Sequence, residues 1–536
     1  MPSPIALCSR FRRRLAVTVV LIFAAPILAD DGPIRQIAKE AAPAAKLNAD
    51  PAESNKKTPE QIRQEEEELF ELLKLFADTV DQIDRNYVKE VSKRELIEAA
   101  VRGMTRELDP YSSYVPPEEF DTFKSGVEQE FGGIGVQVTM ENGKLTIISP
   151  IFDTPAYKAG LMAGDEIIKV EGESIEGITL SEAIRRLKGP VGDEVTFTVR
   201  HPADNSERDV TLKRARIKVR TVIGARRKAD DTWDYLYLPK EKIGYVRITA
   251  FARNTVEEMG EALKELQDAG VKGLIVDVRF DPGGLLSAAI DVSDLFVSDG
   301  VIVSTEGRNA PKRVWNAKAE GTYQGIPVAV LVNRYSASAS EIFAACLKDH
   351  DRAIVIGERT WGKGSVQNII ELEGGRSALK LTTAGYMRPN GHNIHRFPDA
   401  KEEDEWGVRP SDGYEIKLTD EENAELMRRQ RDLLIIPAKD AGSEDEKATN
   451  GDEHGKEPFV DKQLARAVEY LESQLAKTTA EGKSEVGSRK AEASRPAGSF
   501  VLCTQHSVRS AQRFSGDLRI TRTASLCAAS EFLNRR

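Results

Sequence analysis

Three serines separated by single alanines could supply a nucleophile: Ser336, Ser338 and Ser340 in NRYSASASEIF, residues 333–343. The apolar run VAVLVN before them predicts a buried strand, and SEIFAACLKD after them predicts a helix. The serines then lie at a strand-to-helix turn, where the first backbone N–H groups of the helix have no helical partner. A serine in such a turn can attack a carbonyl carbon while those N–H groups stabilise the oxyanion. A turn that uses small residues only for close packing is the alternative.

A serine nucleophile needs a base, and histidines in suitable positions are scarce in this chain. The stretch GERTWGKGSVQNIIEL, residues 357–372, offers a lysine instead. Burial among apolar groups lowers the pKa of a lysine, which can then accept a serine proton near neutral pH. Lys363, Ser365 and Gln367 share one face if this stretch is a strand, so Gln367 can support the lysine amine. A solvated loop lysine is the alternative.

A nucleotide site and a metal site were also considered in this part of the chain, and neither fits the residues. Gly357, Gly362 and Lys363 fit a phosphate-binding loop, but position 364 is glycine where a hydroxyl is required, and a strand-like stretch follows instead of a helix. His392 and His395 lack an acidic or cysteine ligand pattern beside them. The sequence therefore predicts neither a nucleotide nor a metal cofactor.

A third stretch, GLIVDVRFDPGGLL at 273–286, predicts a buried strand that ends in a Pro-Gly-Gly turn before a helix. Glycine permits close approach of the backbone, so this turn can present an N–H group to an oxyanion. On its own the pattern is a weak signal.

Composition limits the class of protein. The 536 residues suggest two to four domains, with 40% apolar and 30% charged residues. The formal net charge of -10 argues against nucleic-acid binding, which favours a basic surface. The four cysteines have neither metal-ligand spacing nor the density of a disulfide framework.

The N-terminus has the features of a secretory signal. Arginines at positions 10 and 12–14 precede the apolar run LAVTVVLIFAAPILA, residues 15–29. This run is shorter than the roughly 20 residues that a membrane span needs. We expect export to a bacterial periplasm or cell envelope. An uncleaved anchor is the alternative, and only in that case would the protein contact a membrane.

Periodicity and composition divide the chain into segments. The alternation of strands and helices after residue 218 predicts an α/β multidomain protein whose α+β core has a partly parallel sheet, with a β-rich module inserted before it. The predicted segments are a signal peptide (1–29), a linker (30–64), a helical N-terminal region (65–125), the β-rich module (126–217), the core (218–437), an acidic linker (438–456), a C-terminal helix (457–480) and a disordered tail (481–536).

Several blocks in order resemble the carboxyl-terminal processing peptidases, also called tail-specific proteases. The resemblance runs from about residue 69 to about residue 475. It rests on LDPYSSYVPPEEF, FGGIGVQV, SPIFDTPAYKAGLMAGDEIIKVEG, DVRFDPGG, NRYSASASEIFAACLKD and GERTWGKGSVQ. No single block is specific, but the combination is.

The resemblance implies roles for individual residues. Ser338 would be the nucleophile, Lys363 the general base and Gln367 the residue that orients the lysine. The oxyanion hole would use the N–H groups of Ala339 and of Gly283 or Gly284. Where the family often has Asn, this chain has Asp281, which bears on the geometry of the turn. Asp349 would match an aspartate proposed as a relay in some members, although a surface charge at a helix end is the alternative.

The module at 126–217 resembles a PDZ domain of the bacterial type with permuted strand order. The resemblance implies that its loop binds a terminal carboxylate through successive N–H groups and that the strand IGVQV pairs with an extended peptide. The residues concerned are Gly132, Gly133, Ile134, Gly135 and Val136. An ordinary β-turn is the alternative.

The expected function is that of an exported serine endopeptidase which captures apolar C-terminal tails of proteins and cleaves peptide bonds through an acyl-enzyme. The sequence leaves the substrate, an adaptor and self-association open. A non-catalytic PDZ-type envelope scaffold is the alternative. Ser338, Lys363 and Gln367 together favour the enzyme, because a pure binder has no use for that set.

Overall fold

The computed structural model describes residues 58–128, 130–202, 204–436 and 459–493. The predicted signal peptide, most of the linker at 30–64, the acidic linker and the tail beyond residue 493 lie outside these ranges. Within them, none of the helices combines the length and the apolar character that a bilayer crossing requires.

The N-terminal region is helical and ends in a short strand. Thr58 accepts a hydrogen bond from the Gln61 N–H and Pro59 occupies the first turn, so the first helix starts within the stretch 30–64 that composition predicts to be a linker. Ser92 caps the second helix through the Glu95 N–H, at the predicted spacing. The elements are α1 (Pro59–Asn86), α2 (Lys93–Arg106), β1 (Ser113–Val115) and α3 (Pro117–Glu128).

The β-rich module is an antiparallel sheet with its own apolar core. Its strand order is β3-β4-β5-β7-β8, with β6 beside β5, and β2 pairs with β9 where the chain enters and leaves the module. Asn142 and Gly143 both have positive φ in the predicted hairpin between β3 and β4. The elements are β2 (Glu130–Gly133), β3 (Val136–Glu141), β4 (Lys144–Pro150), α4 (Pro155–Lys158), β5 (Glu166–Val170), β6 (Glu173–Ser174), α5 (Leu180–Leu187), β7 (Glu194–Arg200), β8 (Glu207–Lys213) and β9 (Ala215–Lys218).

The core is built on the predicted partly parallel sheet, with strand order β10-β14-β15-β18-β19 and β13 beside β14. Strands β14, β15, β18 and β19 run parallel. Every residue of β15 and β18 is buried, which explains their continuous apolar sequences. The elements are β10 (Val222–Ile223), β11 (Arg226–Arg227), β12 (Trp233–Asp234), β13 (Leu236–Leu238), β14 (Ile243–Ile248), α6 (Thr255–Asp268), β15 (Gly273–Asp277), α7 (Leu286–Asp294), β16 (Val301–Gly307), β17 (Ala310–Asn316), β18 (Val328–Val332), α8 (Ala339–Asp349) and β19 (Ile354–Gly357).

A second sheet carries Gln367, and the predicted lysine, Lys363, lies in the loop just before that sheet instead of on the predicted strand. The hairpin of β20 (Ser365–Leu372) and β21 (Ser377–Met387) joins β16 and β17, and β1 of the N-terminal region pairs antiparallel with β21. Two helices follow, α9 (Asp420–Asp432) and α10 (Lys462–Ala493). Helix α10 extends into the predicted tail, and its residues Ala467 and Leu471 are fully buried in an apolar cluster with strands of the parallel sheet.

Candidate active site

Ser338 lies at the predicted turn between β18 and α8. Its φ of 59° is rare for a residue other than glycine and marks backbone strain that the surroundings must hold. The neighbouring turn at Asp281 supplies that hold, because the Asp281 carbonyl accepts hydrogen bonds from the Ala337 N–H and the Ser340 hydroxyl, both at 3.0 Å. Ser336 donates to the Val278 carbonyl at 2.8 Å. Of the three serines, Ser336 and Ser340 are therefore occupied in fixing the turn.

One buried carboxylate joins this turn to the loop of the lysine. Glu341 Oε2 accepts hydrogen bonds from the N–H groups of Ser338 and Lys363, each at 2.8 Å. Its Oε1 accepts from the Gly362 N–H at 2.7 Å and from the Thr360 hydroxyl at 2.5 Å. The backbones of the two predicted catalytic residues are thus bound to the same oxygen atom, which fixes their separation.

The Lys363 amine is largely desolvated and donates a hydrogen bond to Gln367 Oε1 at 2.6 Å. Burial lowers the pKa of Lys363 to about 8, and the charge of Lys380 adds to that effect. Gln367 Nε2 in turn donates to Ser365 Oγ at 2.9 Å and Thr382 Oγ1 at 3.1 Å. These contacts decide which end of the amide faces the lysine.

The side chains of Ser338 and Lys363, both within the described residues, form no hydrogen bond with each other. The Ser338 side chain instead faces Tyr386, a tyrosine that burial keeps protonated by raising its pKa to about 12. Ser338 is only 5% exposed.

The predicted oxyanion donors meet at the contact between the two turns. Ala339 is the first residue of α8, so its N–H has no helical partner. A Cβ built on Gly283 would lie 2.7 Å from the Ala339 nitrogen and 2.9 Å from the Ser338 Cβ. The Gly283 N–H donates to Asp281 Oδ1 at 2.8 Å, whereas Gly284 pairs with Phe251 as an isolated β-bridge.

Asp281, at the position where the resemblance leads us to expect asparagine, is fully buried. Burial raises the pKa of its carboxyl group well above the usual range, which favours the neutral acid. A neutral carboxyl group resembles an asparagine amide in shape and charge, so the Pro-Gly-Gly turn keeps a hydrogen-bonding neighbour of the usual kind.

The other sequence candidates lie in different surroundings. Asp349 forms an ion pair with Arg388 at 2.5 Å and is mostly buried, which differs from a surface charge and occupies its carboxylate. His392 contacts Glu405. The His395 ring packs edge-on against Phe397 and Tyr111, beside the lysine.

The predicted carboxylate-binding loop is mostly strand. Gly132 and Gly133 pair with β9, and Ile134 and Gly135 connect that strand to β3. Gly135 has a φ of 84°, and a Cβ there would clash with Thr154. Val136 starts β3, which is an edge strand of its sheet.

A carboxy-terminal-processing protease of Bartonella bacilliformis is 40% identical over 334 residues, which cover 61% of this chain and 74% of that protein. The chain belongs to the carboxy-terminal processing protease family. Peptidase family S41 matches residues 242–401, the PDZ domain matches 132–213, and the activating protease CtpB N-terminal domain matches 38–119. The predicted fold class and the assignment as a serine protease are confirmed.

A second relative shows similar identity over a shorter share of its length. Carboxy-terminal processing protease CtpA of Bacillus subtilis is 37% identical over 318 residues, 59% of this chain and 65% of that protein. Among solved structures, a photosystem II D1 C-terminal processing protease shares 28% identity over 64% of this chain and 92% of that chain, with a TM-score of 0.36.

The sequence reasoning missed Glu341, Thr382 and Tyr386. Glu341 stands three residues after Ser338, at the spacing of a helix capping box, so a search for caps could have found it. Thr382 and Tyr386 lie on β21 and approach the site only through pairing with β16 and β20, which no local pattern reveals.

Proposed function

We propose that this protease is an exported serine endopeptidase that captures apolar C-terminal tails and cuts peptide bonds by a serine–lysine mechanism. Neutral Lys363 takes the Ser338 proton while Ser338 Oγ attacks the peptide carbonyl carbon. The ammonium then protonates the leaving amine as the C–N bond breaks. Water, activated by the same lysine, hydrolyses the resulting ester and restores both side chains.

The observation that carries the proposal is the shared Glu341 carboxylate. The N–H groups of Ser338 and Lys363 both donate to one of its oxygen atoms, which fixes the distance between the backbones of the proposed nucleophile and base. The lowered pKa of Lys363, about 8, leaves a useful fraction of neutral amine near physiological pH. Gln367 holds that amine from the side of the second sheet.

The oxyanion hole would use the Ala339 N–H and one N–H of the Gly283-Gly284 turn. Both turns are rigidly joined at Asp281, so the donors are preorganised. Of the two glycines, Gly284 is the better candidate, because the Gly283 N–H already donates to Asp281.

Tail capture is assigned to the PDZ domain. Strand β3 is at the edge of its sheet and can accept an additional strand, and N–H groups of the segment from Gly132 to Gly135 just before it would bind the terminal carboxylate of the tail. Export rests on the basic and apolar pattern of residues 10–29.

The proposal is tested with Ser338→Ala and Lys363→Ala on a reporter protein with an apolar C-terminus. Each variant is expected to lose activity on the order of 10³-fold or more while it still binds the tail peptide. Ser473→Ala and Lys264→Ala, at exposed helical positions, serve as matched controls. Cleavage by Ser338→Ala or Lys363→Ala at the wild-type rate would refute the mechanism, and an unchanged rate on a reporter ending in aspartates would refute the preference for apolar tails.

A further inference from the structure

A segment of the N-terminal region, Asp109 to Ser112, reaches the predicted base from outside the protease core. Asp109 Oδ1 accepts hydrogen bonds from the N–H groups of Tyr111 and Ser112, each at 2.7 Å. Its Oδ2 accepts from the Ser112 hydroxyl at 2.8 Å. The aspartate therefore fixes both the backbone of the turn and the orientation of the Ser112 side chain.

From Ser112 the hydrogen bonds continue to the glutamine that holds the lysine. Ser112 Oγ accepts a hydrogen bond from the Thr382 N–H at 3.1 Å and lies 3.4 Å from Thr382 Oγ1. Thr382 Oγ1 accepts from Gln367 Nε2 at 3.1 Å, and Gln367 Oε1 accepts from Lys363 Nζ at 2.6 Å. The chain of contacts runs without a gap from Asp109 to the lysine amine.

The direction of these hydrogen bonds follows from the carboxylate at their end. An ionised aspartate only accepts hydrogen bonds. The Ser112 hydroxyl proton therefore points towards Asp109 Oδ2, and the Thr382 hydroxyl proton also points towards the Asp109 carboxylate. The Thr382 oxygen is then an acceptor for Gln367, whose Nε2 must face it. The amide oxygen of Gln367 is left for Lys363, which is the orientation that supports an amine donor.

Tyr111 also lies close to the same amine. Its ring centroid lies 5.3 Å from Lys363 Nζ, within the range of a cation–π contact. Trp361 Nε1 lies 3.4 Å from the Tyr111 hydroxyl, which links the tyrosine to the loop that precedes the lysine.

The segment is held in register by backbone pairing. Strand β1 pairs with β21 so that Ser113 is opposite Lys380. At the far end of the hairpin, Arg94 of α2 forms two hydrogen bonds of 3.0 Å with the Glu373 carboxylate. The N-terminal region is thus attached at two points to the hairpin that carries Gln367.

We propose that Asp109, Tyr111, Ser112 and Thr382 are positioning residues of the active site, which orient Gln367 and cover the Lys363 amine. This inference rests on the proposed role of Lys363 as the base. It makes docking of the N-terminal region a condition for a correctly oriented base, beyond any part that region has in folding.

The charged and titratable groups that face Lys363 come from four elements. Burial is the main cause of the lowered pKa of Lys363, and the like charge of Lys380 lowers it further. The carboxylates of Glu341 and Asp109 raise it. The groups are Asp109 and Tyr111 in the N-terminal segment, Glu341 on α8, Lys380 on β21 and His395 in the loop after β21. Removing the Asp109 charge therefore stabilises neutral Lys363 and lowers its pKa.

A matched pair of substitutions at Thr382 separates the hydrogen bond from packing. Thr382→Val keeps the shape but removes the acceptor for Gln367, and we expect a roughly tenfold fall in kcat with unchanged KM. Thr382→Ser keeps the hydroxyl and should stay within about twofold of wild type. Asp109→Asn should shift the rising limb of the kcat/KM–pH profile to lower pH, and Ser113→Ala, the neighbouring serine, should leave the profile and kcat unchanged.

The outcomes distinguish this inference from the proposed function. An unchanged kcat in Thr382→Val, equal losses in both Thr382 variants, or an unmoved pH limb in Asp109→Asn would each overturn the positioning role. Thermal unfolding of every variant shows whether a loss comes from misfolding, and if Thr382→Val does not fold, the pH limb of Asp109→Asn decides. Wild-type activity in Lys363→Ala would instead overturn the proposed function.

Discussion

At the scale of single residues, burial of Lys363 makes the free energy of unfolding depend on pH. Lys363 has an ordinary pKa near 10.5, which burial lowers to about 8. Between these values the unfolded chain binds a proton that the folded protein does not. The free energy of unfolding therefore rises with pH through this window, and below it the folded protein must bury an ammonium ion.

We predict that Lys363→Met removes this pH dependence. Relative to the variant, the wild type should gain stability as pH rises from about 8 to about 10.5, with a slope of about 1.4 kcal/mol per pH unit. The measurement is urea unfolding of both proteins at several pH values, with the difference plotted against pH. A difference that does not change across this range would show that the pKa of Lys363 is not lowered in the folded protein.

At the scale of elements, the candidate active site is a contact between two turns at the carboxyl ends of parallel strands. The turn after β15 contributes Asp281 and Gly283, and the turn after β18 contributes Ser338. Neighbouring parallel strands place such turns side by side, which is why a site here needs residues distant in sequence.

Gly283→Ala tests this contact. The glycine has a φ of 96°, and an added Cβ would lie 2.5 Å from the Ala337 carbonyl oxygen and 2.9 Å from the Ser338 Cβ. We expect the methyl group to displace the serine turn and to reduce kcat on the order of 100-fold or more. Gly260→Ala is the control, because its Cβ in α6 meets nothing within 4 Å and should stabilise the helix by about 1 kcal/mol. Activity of Gly283→Ala within a factor of two of wild type would show that the turns are not in rigid contact.

Many of the strands and turns could be predicted from the sequence. The period-2 pattern predicts the contact of Lys363 with Gln367, although Lys363 lies in the loop before β20 and not on the strand. The continuous apolar runs predict β15 and β18, and the Asn142-Gly143 pair predicts its hairpin. Each of these signals is local, because the residues that carry it lie within one strand or turn.

The unpredicted parts depend on pairing across long separations. Strand β1 is three residues long and finds β21 more than 250 residues later, and nothing in its own sequence specifies that partner. For the same reason Thr382 and Tyr386 were not identified as neighbours of the site. Helix α1 starts earlier and helix α10 ends later than predicted. Charged and alanine-rich stretches are found both in helices and in linkers, so composition did not fix these boundaries.

At the scale of the whole molecule, a buried arginine connects the parallel sheet to the C-terminal helix. Arg279, 1% exposed, follows β15 and contacts Asp277 through its Nε and Nη2 atoms. It also donates to both carboxylate oxygens of Asp461, each at 2.9 Å, and to Gln463 Oε1 at 3.0 Å. Asp281 follows two residues later, so this anchor lies next to the Pro-Gly-Gly turn.

Asp461→Asn should weaken that anchor. The amide replaces one acceptor oxygen with an N–H group that faces the guanidinium, and we expect the loss of this counter-charge from a fully buried cation to cost about 3 kcal/mol. We expect urea unfolding to show that loss, together with faster hydrogen exchange at the start of α10. Asp420→Asn is the matched control. The Asp420 side chain is 84% exposed, so its ion pair with Arg334 should contribute less than about 1 kcal/mol. If both variants unfold at the wild-type urea concentration, α10 is held by the apolar contacts of Ala467 and Leu471 instead, and Arg279 is satisfied by Asp277 alone.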